Sequence, residues 1–196
     1  MFLVAGLGNP GDEYADTPHN LGFRVVDLLG ERNRIRISRK DSNALIGFGE
    51  IAGKPVCLAK PQTFMNLSGT SLKPLMEKHE VSAADVILVY DDLDLPWPSV
   101  RVRPKGSPGS HNGVKSVTAS LGTRNFARVR LGIHPGRPLS SGVEFVLAPF
   151  KRSQLQEVDD LLSLGAEAVE SIIAEGVEKS MTKYNRRAPG LTIEEE

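Results

Sequence analysis

The chain has 196 residues, 40% hydrophobic and 24% charged, enough to bury one sizeable core, and it reads as a single domain. Its 24 basic and 24 acidic residues cancel, so net charge names no partner, and its one cysteine excludes an internal disulfide and favours a reducing, cytoplasmic setting. No run approaches the roughly 20 apolar residues of a membrane-spanning helix, and the first residues lack the basic segment of a secretory signal.

Residues 2–8 read as a buried strand that runs into GLGNPG, a match to G-x-G-x-x-G. A dinucleotide loop needs a helix starting within those glycines, because the pyrophosphate rests on its first N–H groups. Here DEYADTPHN intervenes, and Pro18 disfavours helical geometry before it. Helical spacing begins only at Leu21, Val25, Leu28 and Leu29, with Asn20 as the expected N-cap. Arg39 and Lys40 could meet the 2′-phosphate of NADP, which is all that supports an oxidoreductase. A turn, with Gly8 and Gly11 chosen for backbone angles, is the simpler expectation.

Strands over 44–51 and 56–60 follow, joined by a hairpin turn at residues 52–55. Cys57 lies in the second and reads as a small core residue. A helix is expected over 68–80 despite Pro74, a buried strand over 86–90 and a shorter one over 100–103. A helix over 111–121, a strand over 127–133 and a long amphipathic helix over 151–179 complete the series. The last residues, 186–196, read as a polar, flexible tail after a domain spanning 1–185. Alternating strands and helices predict an α/β fold: a mixed, mostly parallel central sheet flanked by helices, the long C-terminal one among them.

Charge is unevenly spread. Residues 101–137 hold eight Lys or Arg and no Asp or Glu, whereas residues 153–196 hold ten acidic and four basic residues. A basic segment on a neutral protein can still steer a polyanion to one face.

Polar residues gather where strands end. Asn9 follows the first strand, and His19 closes the loop that follows it. KPQTFMNLSG places Phe64, Met65 and Asn66 before a helix, DDLDLP places Asp91 at a strand end, and GSPGSHNG delivers His111 and Asn112 to a helix start. In open α/β sheets, sites form outside the carboxyl ends of the strands. A His beside a carboxylate makes a general base, and amide groups can hold a carbonyl or a developing oxyanion, so the set suggests hydrolysis by activated water. Each residue also has a plainer role: a lone Asn before a helix caps it, His111 could bind a backbone carbonyl, and Phe64 and Met65 could be core. No G-x-S-x-G elbow supports a serine nucleophile. The four histidines are separated in sequence, without H-E-x-x-H or cysteine pairs, so no metal is expected.

GLGNPGDEYADTPHNLGF, KPQTFMNLSG, DDLDLP and GSHNG, in this order, resemble the bacterial-type peptidyl-tRNA hydrolase family over nearly the whole chain. The resemblance implies a monomeric, cofactor-free enzyme that hydrolyses the ester between a peptide and the 3′-terminal ribose of tRNA, engaging its acceptor stem and 3′ end. His19 would be the general base, Asp91 its orienting partner, and Asn9 a contact to the peptide portion that helps exclude free-amine aminoacyl-tRNA. Tyr14, Phe64, Asn66 and Asn112 would line the substrate site, with Met65 and His111 shaping it. Arg101, Arg103, Lys105, Lys115, Arg128 and Arg130 are the candidates for a phosphate track. The chain departs from the family pattern at Pro18, where Arg is common, at Ser107, Pro108 and Ser110, and at Trp97-Pro98. An RNA-binding module without cleavage is the alternative from another class; His19 and Asp91 favour the enzyme, because binding alone needs no base.

Overall fold

The computed structural model describes residues 1–185, so the expected tail, 186–196, lies outside the described residues. Seven strands form one sheet in the order β2-β3-β4-β1-β5-β7-β6. They are β1 (Phe2–Gly6), β2 (Arg39–Asp41), β3 (Ala44–Ile51), β4 (Lys54–Pro61), β5 (Val86–Pro96), β6 (Ser99–Arg103) and β7 (Ala127–His134). The pairs β4-β1, β1-β5 and β5-β7 are parallel, whereas β2-β3, β3-β4 and β6-β7 are antiparallel. The expected mixed sheet is thus present, with its parallel pairs confined to the centre, β4-β1-β5-β7, and antiparallel pairs at both edges.

Helices α1 (Leu21–Asn33), α2 (Ser68–Lys78), α3 (Asn112–Leu121), α4 (Gly142–Leu147), α5 (Leu155–Glu175) and α6 (Val177–Tyr184) complete the fold. On one sheet face, Val25, Leu29, Val158, Leu161 and Val169 of α1 and α5 pack against strand residues including Val4, Val89 and Val129. On the other, Leu72, Leu75, Val114 and Val117 of α2 and α3 cover Leu3, Cys57 and Leu88. Cys57 is buried as expected, and that burial pushes its thiol up to about 12, away from nucleophilic use.

The first two glycines of GLGNPG serve packing. A Cβ on Gly6 would lie 2.1 Å from the Gly22 carbonyl oxygen of α1, and one on Gly8 would meet the Phe23 ring at 2.7 Å. Gly22 is as tightly held, with a Cβ 2.4 Å from the Val89 oxygen and 2.5 Å from the Leu7 nitrogen. Only glycines let α1 settle this closely onto the ends of β1 and β5, and overpacking there would cost about 1–3 kcal/mol. Gly11, at φ 117°, does need glycine's backbone freedom, as expected; for Gly8 the reason is space.

Several boundaries differ from expectation. The 52–55 turn is a two-residue loop, Ala52-Gly53, with φ of 52° and 73°; the register Ile51↔Lys54 makes it a tight hairpin. β5 continues past Tyr90, because Asp91 and Asp92 find side-chain partners and their polarity does not end the strand. The helix expected over 151–179 is two helices broken at Gly176, φ 92°, where the chain turns from α5 into α6. After α6, Asn185 reaches the edge strand β6: its amide oxygen accepts from the Val102 N–H at 2.7 Å, and its amide nitrogen donates to the Val102 carbonyl at 2.9 Å.

β2 is tied to the end of α2 by Asp41, whose carboxylate accepts from Lys78 Nζ at 2.9 Å, His79 Nε2 at 3.1 Å and Ser42 Oγ at 3.0 Å. The Lys78 hydrogen bond, helped by His79 and Ser42, outweighs burial and holds the carboxyl at about 2. Because the folded value is depressed, this contribution is present above the unfolded value of about 3.9 and is lost as pH falls through 2. Asp41→Asn is therefore expected to lower the urea midpoint at pH 7, by a margin that shrinks steadily between pH 4 and 2. Equal margins at pH 7 and pH 2 would show that the charge is not what stabilises this corner.

Candidate active site

β1 is flanked by β4 on one side and β5 on the other, so successive connections leave it in opposite directions. That makes its carboxyl end the switch point of the sheet, where loops diverge and a crevice opens. The loops after β1 and β4, the continuation of β5 and the start of α3 all meet there. They enclose a cavity of about 450 Å³, within the usual range for ligand sites. Asn9, His19, Phe64, Met65, Asn66, Asp91, His111 and Asn112 all line it.

Asp91 is the centre of the polar cluster. It is 1% exposed, and its carboxylate lies 2.9 and 3.1 Å from His19 Nδ1 and 3.0 Å from His111 Nε2. Burial alone pushes the Asp91 carboxyl upward, but the two imidazoles more than reverse this and hold it well below the usual carboxylate range.

The tautomers follow from the surroundings. His111 is the N-cap of α3, and its Nδ1 accepts from the N–H groups of Gly113 and Val114 at 3.1 and 3.3 Å. Its proton therefore sits on Nε2 and is donated to Asp91. The sequence allowed a contact from His111 to a backbone carbonyl; the structure has backbone N–H groups instead. His19 donates through Nδ1–H to the same carboxylate, which leaves its Nε2 lone pair available to the cavity.

The histidines are separated in sequence, but two meet in space. The donor atoms of His19, Asp91 and His111 lie within 4.8 Å of one another, close enough to ask about a metal. A metal on His111 Nε2 would require its proton to move to Nδ1, against two N–H groups that already point there. The donor set thus suits hydrogen bonding better than coordination.

Asn9 is held from both sides. Its backbone N–H donates to Asn20 Oδ1 at 2.8 Å, and its carbonyl accepts from Asn20 Nδ2 at 2.9 Å. Asn20 is therefore a brace for Asn9, and the expected N-cap hydrogen bond is not made. The Asn9 side-chain oxygen accepts from the Met65 N–H at 2.8 Å. That fixes the amide orientation and leaves the Asn9 NH₂ as a donor in the cavity that His19 also lines. Asn66 and Asn112 are exposed on the cavity wall, with no side-chain partner among the described residues.

Some expected residues stand apart from the cavity. Tyr14 belongs to a 3-10 turn, Asp12–Tyr14, and is not part of the cavity wall. Val100 and Val102 turn into the core, and their alternation places Arg101 and Arg103 on the opposite face of β6, across from Arg130 and Arg128. Arg130 Nε donates to Asp92 Oδ2 at 2.7 Å, which links this basic face to the cavity wall, and Lys105 is exposed beyond it. Arg128 is 1% exposed, donates to the Gly106 and Arg124 carbonyls and lies over the Phe126 ring. It is part of the interior and unavailable to a phosphate track.

Sequence reasoning missed Asp92 and Asp94 on the wall, and it missed α4, whose Val143, Val146 and Leu147 close one side. A signal for α4 was present: Ser141-Gly142-Val143-Glu144 has the S-x-x-E pattern of a helix start, and Ser141 Oγ accepts from the Glu144 N–H at 3.2 Å.

Known proteins agree with this architecture. The chain is 63% identical over 195 residues to a peptidyl-tRNA hydrolase of Solibacter usitatus, with full coverage of both. It is 41% identical to that of Bacillus subtilis, covering 95% of this chain and 100% of the relative. A crystal structure of the Acinetobacter baumannii peptidyl-tRNA hydrolase superposes with a TM-score of 0.86 at 29% identity, covering 93% of each chain. The family model described as peptidyl-tRNA hydrolase matches residues 3–191, and the chain belongs to that family.

Proposed function

We propose that this cavity hydrolyses the ester joining a peptide to the 3′-terminal ribose of tRNA, with His19 as general base. The protein is a peptidyl-tRNA hydrolase by family, and the observation that carries the mechanism is the His19 imidazole, fixed through Nδ1–H on Asp91 with Nε2 left free. Nε2 takes a proton from water as the oxygen attacks the ester carbonyl. In this reading the Asn9 NH₂ donates to the peptide portion and the developing oxyanion. The proton then passes from His19 to the departing 3′-oxygen, and Asp91 stabilises the imidazolium in between. Asn66, Asn112 and Phe64 hold the substrate, with Met65 and His111 shaping the wall; we assign Tyr14 only to the outer approach. The protein acts as a cytoplasmic monomer without a cofactor; no described helix is long and apolar enough to cross a membrane.

The test compares an N-acetylated aminoacyl-tRNA with its free-amine counterpart, using chelator-treated protein. Rapid release of tRNA from the blocked substrate alone is expected. Tight tRNA binding with no cleavage of either would favour an RNA-binding module.

The acceptor stem would lie along the face that carries Arg101, Arg103, Lys105 and Arg130. Charge reversal at Arg101 and Arg103 is expected to weaken tRNA binding and reduce the salt slope by about one per lost phosphate contact. An unchanged slope in a binding titration from low to moderate salt would place the phosphate track elsewhere.

A further inference from the structure

Residues 104–110 join β6 to α3, and Pro108 and Ser110 of this loop line the cavity. Little holds the loop. The Gly109 N–H donates to Ser107 Oγ at 3.3 Å, and the Pro108 carbonyl accepts from the His111 N–H at 3.3 Å. Among the described residues, a single hydrogen bond reaches residues 105–110 from another part of the fold: Arg128 Nη2 donates to the Gly106 carbonyl at 2.6 Å.

That donor is costly to keep. Arg128 is buried, its guanidinium carbon lies 4.2 Å from the Phe126 ring centroid, and Nη2 makes a second hydrogen bond, 3.1 Å, to the Arg124 carbonyl. No carboxylate comes within ion-pair distance of it among the described residues, and its Nε and Nη1 are buried without a hydrogen bond. A charge held out of water on those terms opposes folding, and an apolar side chain would fill the position at less cost. What the guanidinium supplies, and an apolar group could not, is the hold on the loop.

We propose that Arg128 is a positioning residue for the cavity, a buried anchor whose hydrogen bond to Gly106 sets where Pro108 and Ser110 stand. A charge-assisted hydrogen bond suits that task, being stronger than a neutral one. Arg128 is no part of the cavity wall and acts through the loop. The direction of its effect follows from what else is fixed. His111, at the end of the loop, is held by the α3 N–H groups and by Asp91, so the base and its partner keep their geometry when the loop loosens. The wall moves and the imidazoles do not. Tyr90 is a further neighbour of the guanidinium, and its ring centroid lies 5.1 Å from that of His111. The same bond must therefore also be cut from the loop side. The inference rests on the hydrolase reading for what the wall holds.

Arg128→Met keeps an unbranched side chain over Phe126 and removes every donor. The ¹⁵N order parameters of Gly106 and Gly109 are expected to fall from the roughly 0.85 of rigid backbone to below about 0.6. KM for N-acetylaminoacyl-tRNA should rise about tenfold with kcat retained, the mark of lost binding with the chemistry intact. Arg128→Lys, which keeps one charged group to donate, should fall between. Gly106→Ala reaches the bond without entering the interior. A Cβ there meets nothing within 4 Å, but the φ of 157° is one that side chains rarely adopt, so the carbonyl is expected to turn from Arg128. This variant should reproduce both effects, and adding Arg128→Met to it should add little. Order parameters and KM unchanged in Arg128→Met, a fall in kcat with KM unchanged, or effects of the two variants that simply add would overturn the anchor. If Arg128→Met does not fold, Gly106→Ala decides by the same two readouts. Failure of the wild-type protein to cleave N-acetylaminoacyl-tRNA would instead count against the hydrolase reading, while the order parameters would still decide whether Arg128 holds the loop.

Discussion

His19→Ala is expected to lose about 10²–10⁴ in kcat, the range for removing a positioned general base, while its circular dichroism and urea midpoint stay near wild type. The loss should fall on kcat, because the amides and apolar walls that hold the substrate remain in place. The Nδ1–H bond to Asp91 is the imidazole's only hydrogen bond among the described residues, so its removal strips no other partner. Measured on N-acetylaminoacyl-tRNA under single-turnover conditions, an unchanged rate would remove His19 from the chemistry.

Asp91→Asn is expected to be nearly as damaging, losing about 10²–10⁴, and more damaging than Asp91→Ala. The reason lies in His111. Its Nδ1 is committed to the α3 N–H groups, so its Nε2–H must find an acceptor, and the one oxygen of an asparagine amide would turn to it. The NH₂ would then face His19 Nδ1, making that nitrogen an acceptor and moving the proton to Nε2, where it blocks the base. An alanine imposes no wrong tautomer. Ring-nitrogen NMR of His19 would report the change, and an Asn variant milder than the Ala variant would refute it.

Much of this site was legible because its parts are local. Asn9, His19, Phe64, Asn66, Asp91 and Asn112 follow strands or precede helices, and the α/β alternation sends those ends to one edge. The geometry that specifies tautomers was not legible. Asp91 and His111 are 20 residues apart, and nothing in either neighbourhood says that one carboxylate serves two imidazoles. Asn20 looked like a cap because its position before Leu21 suits one, yet the nearer demand was the Asn9 backbone, eleven residues back. Arg128 looked like surface beside Arg130, and only the Gly106 loop and Phe126 packed over it make it interior. Gly176 is different: a glycine inside a helical pattern is a local stop signal, and it could have divided the long helix from sequence alone.

The Asn185 clamp on Val102 bears on how this protein behaves when crowded with copies of itself. β6 ends the sheet, and an edge strand offers unpaired N–H and C=O groups to any neighbouring chain. An amide side chain copies a peptide group in its donor and acceptor, so Asn185 fills one rung of the ladder that a second molecule would use. The opposite edge, β2, is three residues long and carries Arg39 and Lys40, which deny a partner both length and apolar contact. Resistance to sheet-to-sheet association thus rests on residues remote from the catalytic cavity, and a substitution at Asn185 could spare turnover while making the concentrated protein prone to aggregate.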